Sequence, residues 1–397
     1  MSSKSSALRI AASFLLIFFL TIRLMVPKGL CAASISVALV HSVSVVHAIH
    51  CLNLLFITKV DKRDLGIPKH SKCLKQMLAA LPLILSVRGV GTPWQVKNTF
   101  RYPLMPVSWP IKSNRITFSI RQTAICAWQY LLLDILQAMT WSADLATQEV
   151  VYSSATVILP LTSWGTSPLV QVVLDSIYMG VLFKVYMDIW YRCASVIFVS
   201  LQVTSTDDWP ALFGSLWDMH CLRDFWGKYW HQWLRWPLTS VSKLFTIKVL
   251  GLAPWPVLER YTRLVIIFSM SGALHLVANR CMGLSRTRTS PLLYFLISAA
   301  GIVIEDYAKV MWGRKVHSQR QGDPKLSQKV CKFWGFIWAT CWLSIAAWWF
   351  IYPILRFKMH DAWLVPYSVT RIIGLQSTLA IFASWTLAMK LLFNASL

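Results

Sequence analysis

Two histidines in this sequence stand where an imidazole is costly. His275 lies inside the apolar run FSMSGALHLVANR at 268–280, one turn after Ser271-Gly272, a small pair that lets helices approach closely. An ionisable side chain at membrane depth is expensive, and the usual reason to keep one is function. A packed, hydrogen-bonded histidine is the plainer alternative. His231 lies in the most unusual stretch, 209–237, which reads WPALFGSLWDMHCLRDFWGKYWHQWLRWP and is too polar to cross a bilayer. Read as a helix, it puts Trp209, Leu212, Leu216, Phe225, Tyr229, Trp230 and Trp233 on one broad face, with Arg223, Lys228 and Arg235 elsewhere. That pattern predicts an amphipathic helix at the membrane surface with snorkelling cations.

A histidine poised near neutral pH can take a proton from a hydroxyl while that oxygen attacks an acyl carbonyl. No GxSxG, HExxH, P-loop or dinucleotide glycine fingerprint is present. With no activated Ser or Cys, direct transfer to an acceptor is favoured over an acyl-enzyme. In a transporter or channel, His275 would instead be a proton-relay or gating residue. His41, His47 and His50 share a second apolar run, with no Cys, Asp or Glu completing a metal set at their spacing, so polar packing or an interfacial position is preferred and no metal is expected. Glu305-Asp306 ends another apolar run, and Asp134 and Asp175 interrupt others, where acids orient bases or pair with cations.

The elements that must position these residues are hydrophobic helices. The 397 residues are 56% hydrophobic and 14% charged, against about 45–50% and about 25% in soluble domains, too few charges to keep such a surface wet. Apolar runs at 10–26, 30–57, 123–141, 150–164, 168–187, 190–203, 261–282, 291–312, 333–354 and 372–393 predict an all-α, polytopic bundle of eight to ten spans. The run 76–87 is too short to cross and reads as re-entrant or interfacial. An N-terminal stretch (1–87) thus precedes a membrane core at 88–397.

The net charge of +23 does not imply nucleic acid, because the basic residues sit in short loops between apolar runs. Loops 59–75, 88–121 and 313–332 carry six each and are placed on the cytosolic side, with Arg286 and Arg288 as exceptions. Nine scattered cysteines form no framework and read as small hydrophobes. The first apolar run, flanked by Arg23 and Lys28, reads as a retained helix rather than a cleaved signal.

At the two histidines the chain resembles the wax-synthase-like branch of the membrane-bound O-acyltransferases. Phe225-Trp226-Gly227-Lys228-Tyr229-Trp230-His231-Gln232 resembles that branch's FWGRxWHQ box, and Phe268 with Ser271-Gly272-Ala273-Leu274-His275 its FxxSGxxH box. Arg88-Gly89-Val90-Gly91, then Trp94 to Asn98, resembles its RGxGWxWxxxN segment. Ile304-Glu305-Asp306 and Trp334-Gly335-Phe336-Ile337-Trp338 match later landmarks, so the likeness runs in order from 88 to 353. The nearest likeness is to fungal acetyltransferases that tailor terpenoid and meroterpenoid products.

The resemblance implies a helical bundle enclosing a catalytic tunnel in a membrane of the endoplasmic reticulum. Acyl-CoA, acetyl-CoA above all, would enter from the cytosol as co-substrate, and a hydrophobic alcohol from the bilayer. It implies His275 as catalytic base and His231 as the second polar position, orienting the acceptor or polarising the thioester. Arg223, Lys228, Trp230 and Arg235 are the candidates to meet CoA. The chain departs from relatives at Leu276, where an acid is common, and at Thr92-Pro93. Long-chain transfer to wax or sterol esters is the same-class alternative, and transport the different-class one.

Overall fold

The computed structural model describes residues 35–61, 64, 80–99, 114–141, 168–281, 290–318, 324–351 and 365–393, and every regular element among them is helical. The main helices are α1 (Ile35–Leu52), α2 (Arg115–Trp141), α3 (Pro168–Ser200), α4 (Arg235–Leu244), α5 (Pro256–Cys281), α6 (Pro291–Ser318), α7 (Pro324–Ala346), α8 (Val369–Ile373) and α9 (Leu375–Phe393). Helices α3, α5, α6 and α7 each open on proline, whose fixed φ suits the first turn and whose missing N–H is not needed there.

Among the described residues, three stretches are long and apolar enough to cross a membrane: Pro256–Arg280, Pro291–Met311 and Val330–Trp349. Twenty residues of helix cover about 30 Å, the thickness of a hydrocarbon core. A shorter apolar helix covers Ser42–Ile57. The expected spans at 10–26 and 150–164 lie outside the described residues, as do Arg286 and Arg288 and most of loop 59–75.

The two spans expected at 168–187 and 190–203 are a single helix, α3, of 33 residues. Neither proline nor glycine interrupts it near 188, so the backbone continues through a polar stretch that hydropathy reads as a gap. The last expected span does break, at Gly374, whose φ of 84° with ψ of 156° is open only to glycine. Glu305-Asp306 lies within its helix, as the expected span at 291–312 implies, and α6 runs on to Ser318.

The chain divides into two compact units. The first comprises Met1–Thr99 and Gly214–Ala339, the second Phe100–Phe213 and Thr340–Leu397. Helix α5 is the hub of the first, packing on α6, α1 and α4. Gly272 makes the α5–α6 approach possible, because a Cβ there would lie 2.7 Å from the Leu292 Cα. In the second unit α2 packs against α3, α8 and α9.

Candidate functional site

Residues 214–237 do not form the amphipathic helix expected of them. Ser215 caps a 3-10 turn, Leu216–Asp218, by accepting from Trp217 N. A single α-turn, Leu222–Asp224, widens into a π-turn at Phe225–Tyr229, and the backbone then extends at Trp230 before α4 begins. Every change of pitch rotates the side-chain register, so the one-face pattern never forms. A helix would pair these carbonyls internally; here several accept from side chains instead.

His231 follows the extended Trp230 and is half-buried, with the rings of Trp230 and Trp233 at 5.5 and 6.5 Å. Loss of solvation lowers its pKa to about 3, helped by the fields of His275 and Arg88. His231 is therefore a neutral imidazole near neutral pH, and both His275 and Arg88 lie within electrostatic reach of it. His275 on α5 stacks on Phe295 of α6 at 5.0 Å. Phe295 in turn meets Phe268 and Trp226, at 6.3 and 5.5 Å, so both helices and the Trp-rich segment build the walls.

Arg88, only 3% exposed, comes from a tight loop that contributes the third side. Gly89 (φ +61°) donates to Ser86 O at 2.8 Å and leaves no room for a Cβ, which would meet the Trp236 ring at 3.0 Å. Trp236 is stacked on Trp94 at 5.9 Å and meets His50 edge-on at 5.0 Å. His50 Nε2 donates to Leu83 O at 3.1 Å. Polar packing, preferred for this histidine over metal binding, is what it does. No group of three or more His, Cys, Asp or Glu suited to a metal ion occurs among the described residues.

The four residues expected to meet CoA have partners inside the protein. Arg223 grips Asp306 of α6 with Nε at 3.2 Å and Nη2 at 2.5 Å. Glu305 accepts from the backbone N of Leu222 at 2.6 Å and of Arg223 at 3.3 Å, closing the N-terminus of the α-turn. Asp306 also accepts from Arg260 at 2.9 Å and Tyr261 at 3.1 Å, tying α5 to the same point. Lys228, 43% exposed, pairs with Asp224 at 2.8 Å, which holds its ammonium more firmly protonated. Trp230 is stacked on Phe225 at 5.5 Å. Arg235 Nη1 donates to Gly227 O and to Gln232 Oε1, both at 2.8 Å.

Sequence reading thus gave no role to Arg88, Asn98 or Gln232, though all three stand in the quoted boxes. Asn98 Nδ2 donates to Gly227 O at 3.0 Å across 129 residues, a link that no local pattern in the sequence announces.

A family profile described as membrane bound O-acyl transferase family matches residues 209–297, which include both histidines. The acetyltransferase atnC of an Arthrinium species is 33% identical over 88% of this chain and 82% of its own length. The acetyltransferase nanB of Aspergillus nanangensis is 29% identical over 99% and 94%. The acetyltransferase pyr8 of Aspergillus fumigatus is 31% identical over 94% and 87%. No solved structure matches the chain.

Proposed function

Because the chain belongs to the membrane bound O-acyl transferase family and is an acyltransferase, we propose that it moves an acetyl group from acetyl-CoA to a hydroxyl of a hydrophobic, terpenoid-like alcohol. The observation that carries this reading is the pairing of a neutral His231 with His275 in one ring-walled site. An imidazole nitrogen of His275 takes the alcohol proton as the oxygen attacks the thioester carbonyl carbon. Collapse of the tetrahedral intermediate breaks the C–S bond, and the departing thiolate takes that proton back as CoA thiol. Ester and free CoA result, and the base is restored.

His231 has the complementary task. With a pKa near 3 it is a poor proton store but keeps one ring N–H to donate to the thioester oxygen as charge develops there. The buried Arg88 cation adds to the same stabilisation. Arg223, Lys228, Trp230 and Arg235 make the face offered to CoA, with the open Lys228 meeting phosphate first. A tunnel between the helices would admit the alcohol from the bilayer, in the endoplasmic reticulum, within a secondary-metabolite route. The relatives' names support acetyl as the group and fungal tailoring chemistry as the setting.

Membranes carrying the chain, incubated with acetyl-CoA or palmitoyl-CoA and a panel of hydrophobic alcohols, test this directly. Acetyl esters are expected. Ester formation from the long-chain donor alone overturns the acetyl reading.

A further inference from the structure

We propose that Asn98, Gln232 and Arg235 form a clamp on the 226–232 backbone that holds His231 at the reacting carbonyl, so that all three are positioning residues for acyl transfer. The proposal rests on the acyltransferase mechanism above and goes beyond it, because Asn98 and Gln232 act on the backbone rather than on a substrate, and Arg235 acts on it through the Nη1 committed to Gly227 O and Gln232 Oε1.

The reason for a clamp is the shape of the backbone. The π-turn closes with Trp230 N donating to Phe225 O at 2.7 Å, and the chain then extends. Extension deprives the following carbonyls of the N–H groups that a continuing helix would supply. Tyr229 O is met by Gly214 N at 2.9 Å. Trp226 O and Trp230 O are met by one side-chain amide, Gln232 Nε2, at 3.3 and 2.7 Å. Gly227 O receives two donors, Asn98 Nδ2 at 3.0 Å and Arg235 Nη1 at 2.8 Å. Arg235 Nη1 also reaches Gln232 Oε1 at 2.8 Å, so the amide of Gln232 is engaged at both ends. Gln232 is 4% exposed, where an unpaired amide would be costly. His231 thus stands between Trp230, whose carbonyl the network holds, and Gln232, whose side chain does the holding.

Two features show that the network is maintained against local preference. Arg235 opens α4, where the helix macrodipole disfavours a cation, and no acidic residue offsets it in the first turn. Asn98 sits at φ +64°, a left-handed conformation that asparagine tolerates better than most residues. Asparagine there serves both the backbone turn and the distant carbonyl.

Asn98→Gly separates those two duties, because glycine adopts the left-handed turn but donates nothing. Gln232→Glu keeps an acceptor for Arg235 and removes both donations. Each variant is assayed in membranes with acetyl-CoA and an accepted alcohol, per mole of inserted protein. A fall in kcat of roughly 10–100-fold is expected, with both KM values within about threefold, as misplacement by about 1 Å predicts. The double variant is expected to lose clearly less than the product of the two single losses, because the two side chains share one network. Wild-type kcat in Asn98→Gly, KM changes without a kcat fall, or multiplying losses would each overturn the clamp. A loss that merely tracks inserted protein would do so too. His231→Ala run alongside keeps the two ideas apart: full activity there removes the mechanism itself, whereas an inactive His231→Ala beside a normal Asn98→Gly removes only the clamp.

Discussion

In the unit built on α2, α3 and α9, buried polar side chains satisfy one another and the first turn of α8, and the main elements they join are regular helices. Asp188 accepts from Arg192 at 2.6 Å and from Gln129 at 2.7 Å, while Arg192 reaches Gln122 at 2.5 Å. Asp134 accepts from both the N and the Oγ1 of Thr370, at 2.7 and 2.8 Å. In the unit built on α5, side chains such as Gln232, Asn98 and Glu305 bond to backbone instead, and the backbone they serve is irregular. The difference is instructive because ionisable residues at membrane depth are read as functional by default. Pairs closed between straight helices hold those helices together. Polar groups committed to stray backbone mark where the chain is being bent to present something, here His231.

The largest effect that tests this contrast is loss of the proposed base. His275→Ala is expected to reduce kcat by about 10²–10⁴-fold, the range for removing a positioned general base. The protein should still reach the membrane, because the ring's contact with α6 is a stack on Phe295, whose loss leaves no charge exposed to the bilayer. Turnover in membrane preparations, normalised to inserted protein, reads the outcome. Full turnover would unseat His275 as the base and weaken the assignment of function to this unit.

Asp188→Asn should do the reverse. It leaves the Arg192 guanidinium in a buried network without its carboxylate, which costs about 3–5 kcal/mol when one partner of a buried pair is removed. Thermal unfolding in detergent should drop accordingly, while acyl transfer per folded molecule stays close to wild type. An unchanged melting point with reduced kcat would place chemistry in the second unit and dissolve the distinction.

How far each region was legible follows from the same physics. His275 could be found from sequence because it is local: one imidazole in an apolar run, with Gly272 one turn earlier predicting the close α5–α6 contact that Leu292 makes. Helix α3 was misread as two spans because Asp188 and Arg192 depress hydropathy, and nothing local announces that Gln129 and Gln122 of α2 receive them. The 209–237 segment was misread because its residues have helical spacing, while the bonds that unwind it are side chain to backbone. One of them comes from Asn98, 129 residues away. Arg88 was visible as part of a glycine-flanked box, yet its burial, and the packing of Gly89 against Trp236, are set by residues far along the chain that no periodicity shows.

The smallest expected effect concerns protons. Among the described residues every histidine belongs to the first unit, so a stability change between pH 7.5 and 5 that arises from imidazoles must originate there. For His231 the folded pKa is lowered, to about 3, from the ordinary 6.5. The unfolded chain therefore binds the proton first as pH falls. Stability is complete above about 6.5, declines below it, and the decline levels off only near 3. At pH 5 the cost is about 2 kcal/mol by linkage, smaller than either effect above. His231→Gln removes the titrating group while keeping a polar side chain, so the drop in melting temperature from pH 7.5 to pH 5 should shrink relative to wild type. Equal slopes in the two proteins would mean that His231 is not held neutral by its surroundings, and its assignment as a neutral donor beside His275 would fail with it.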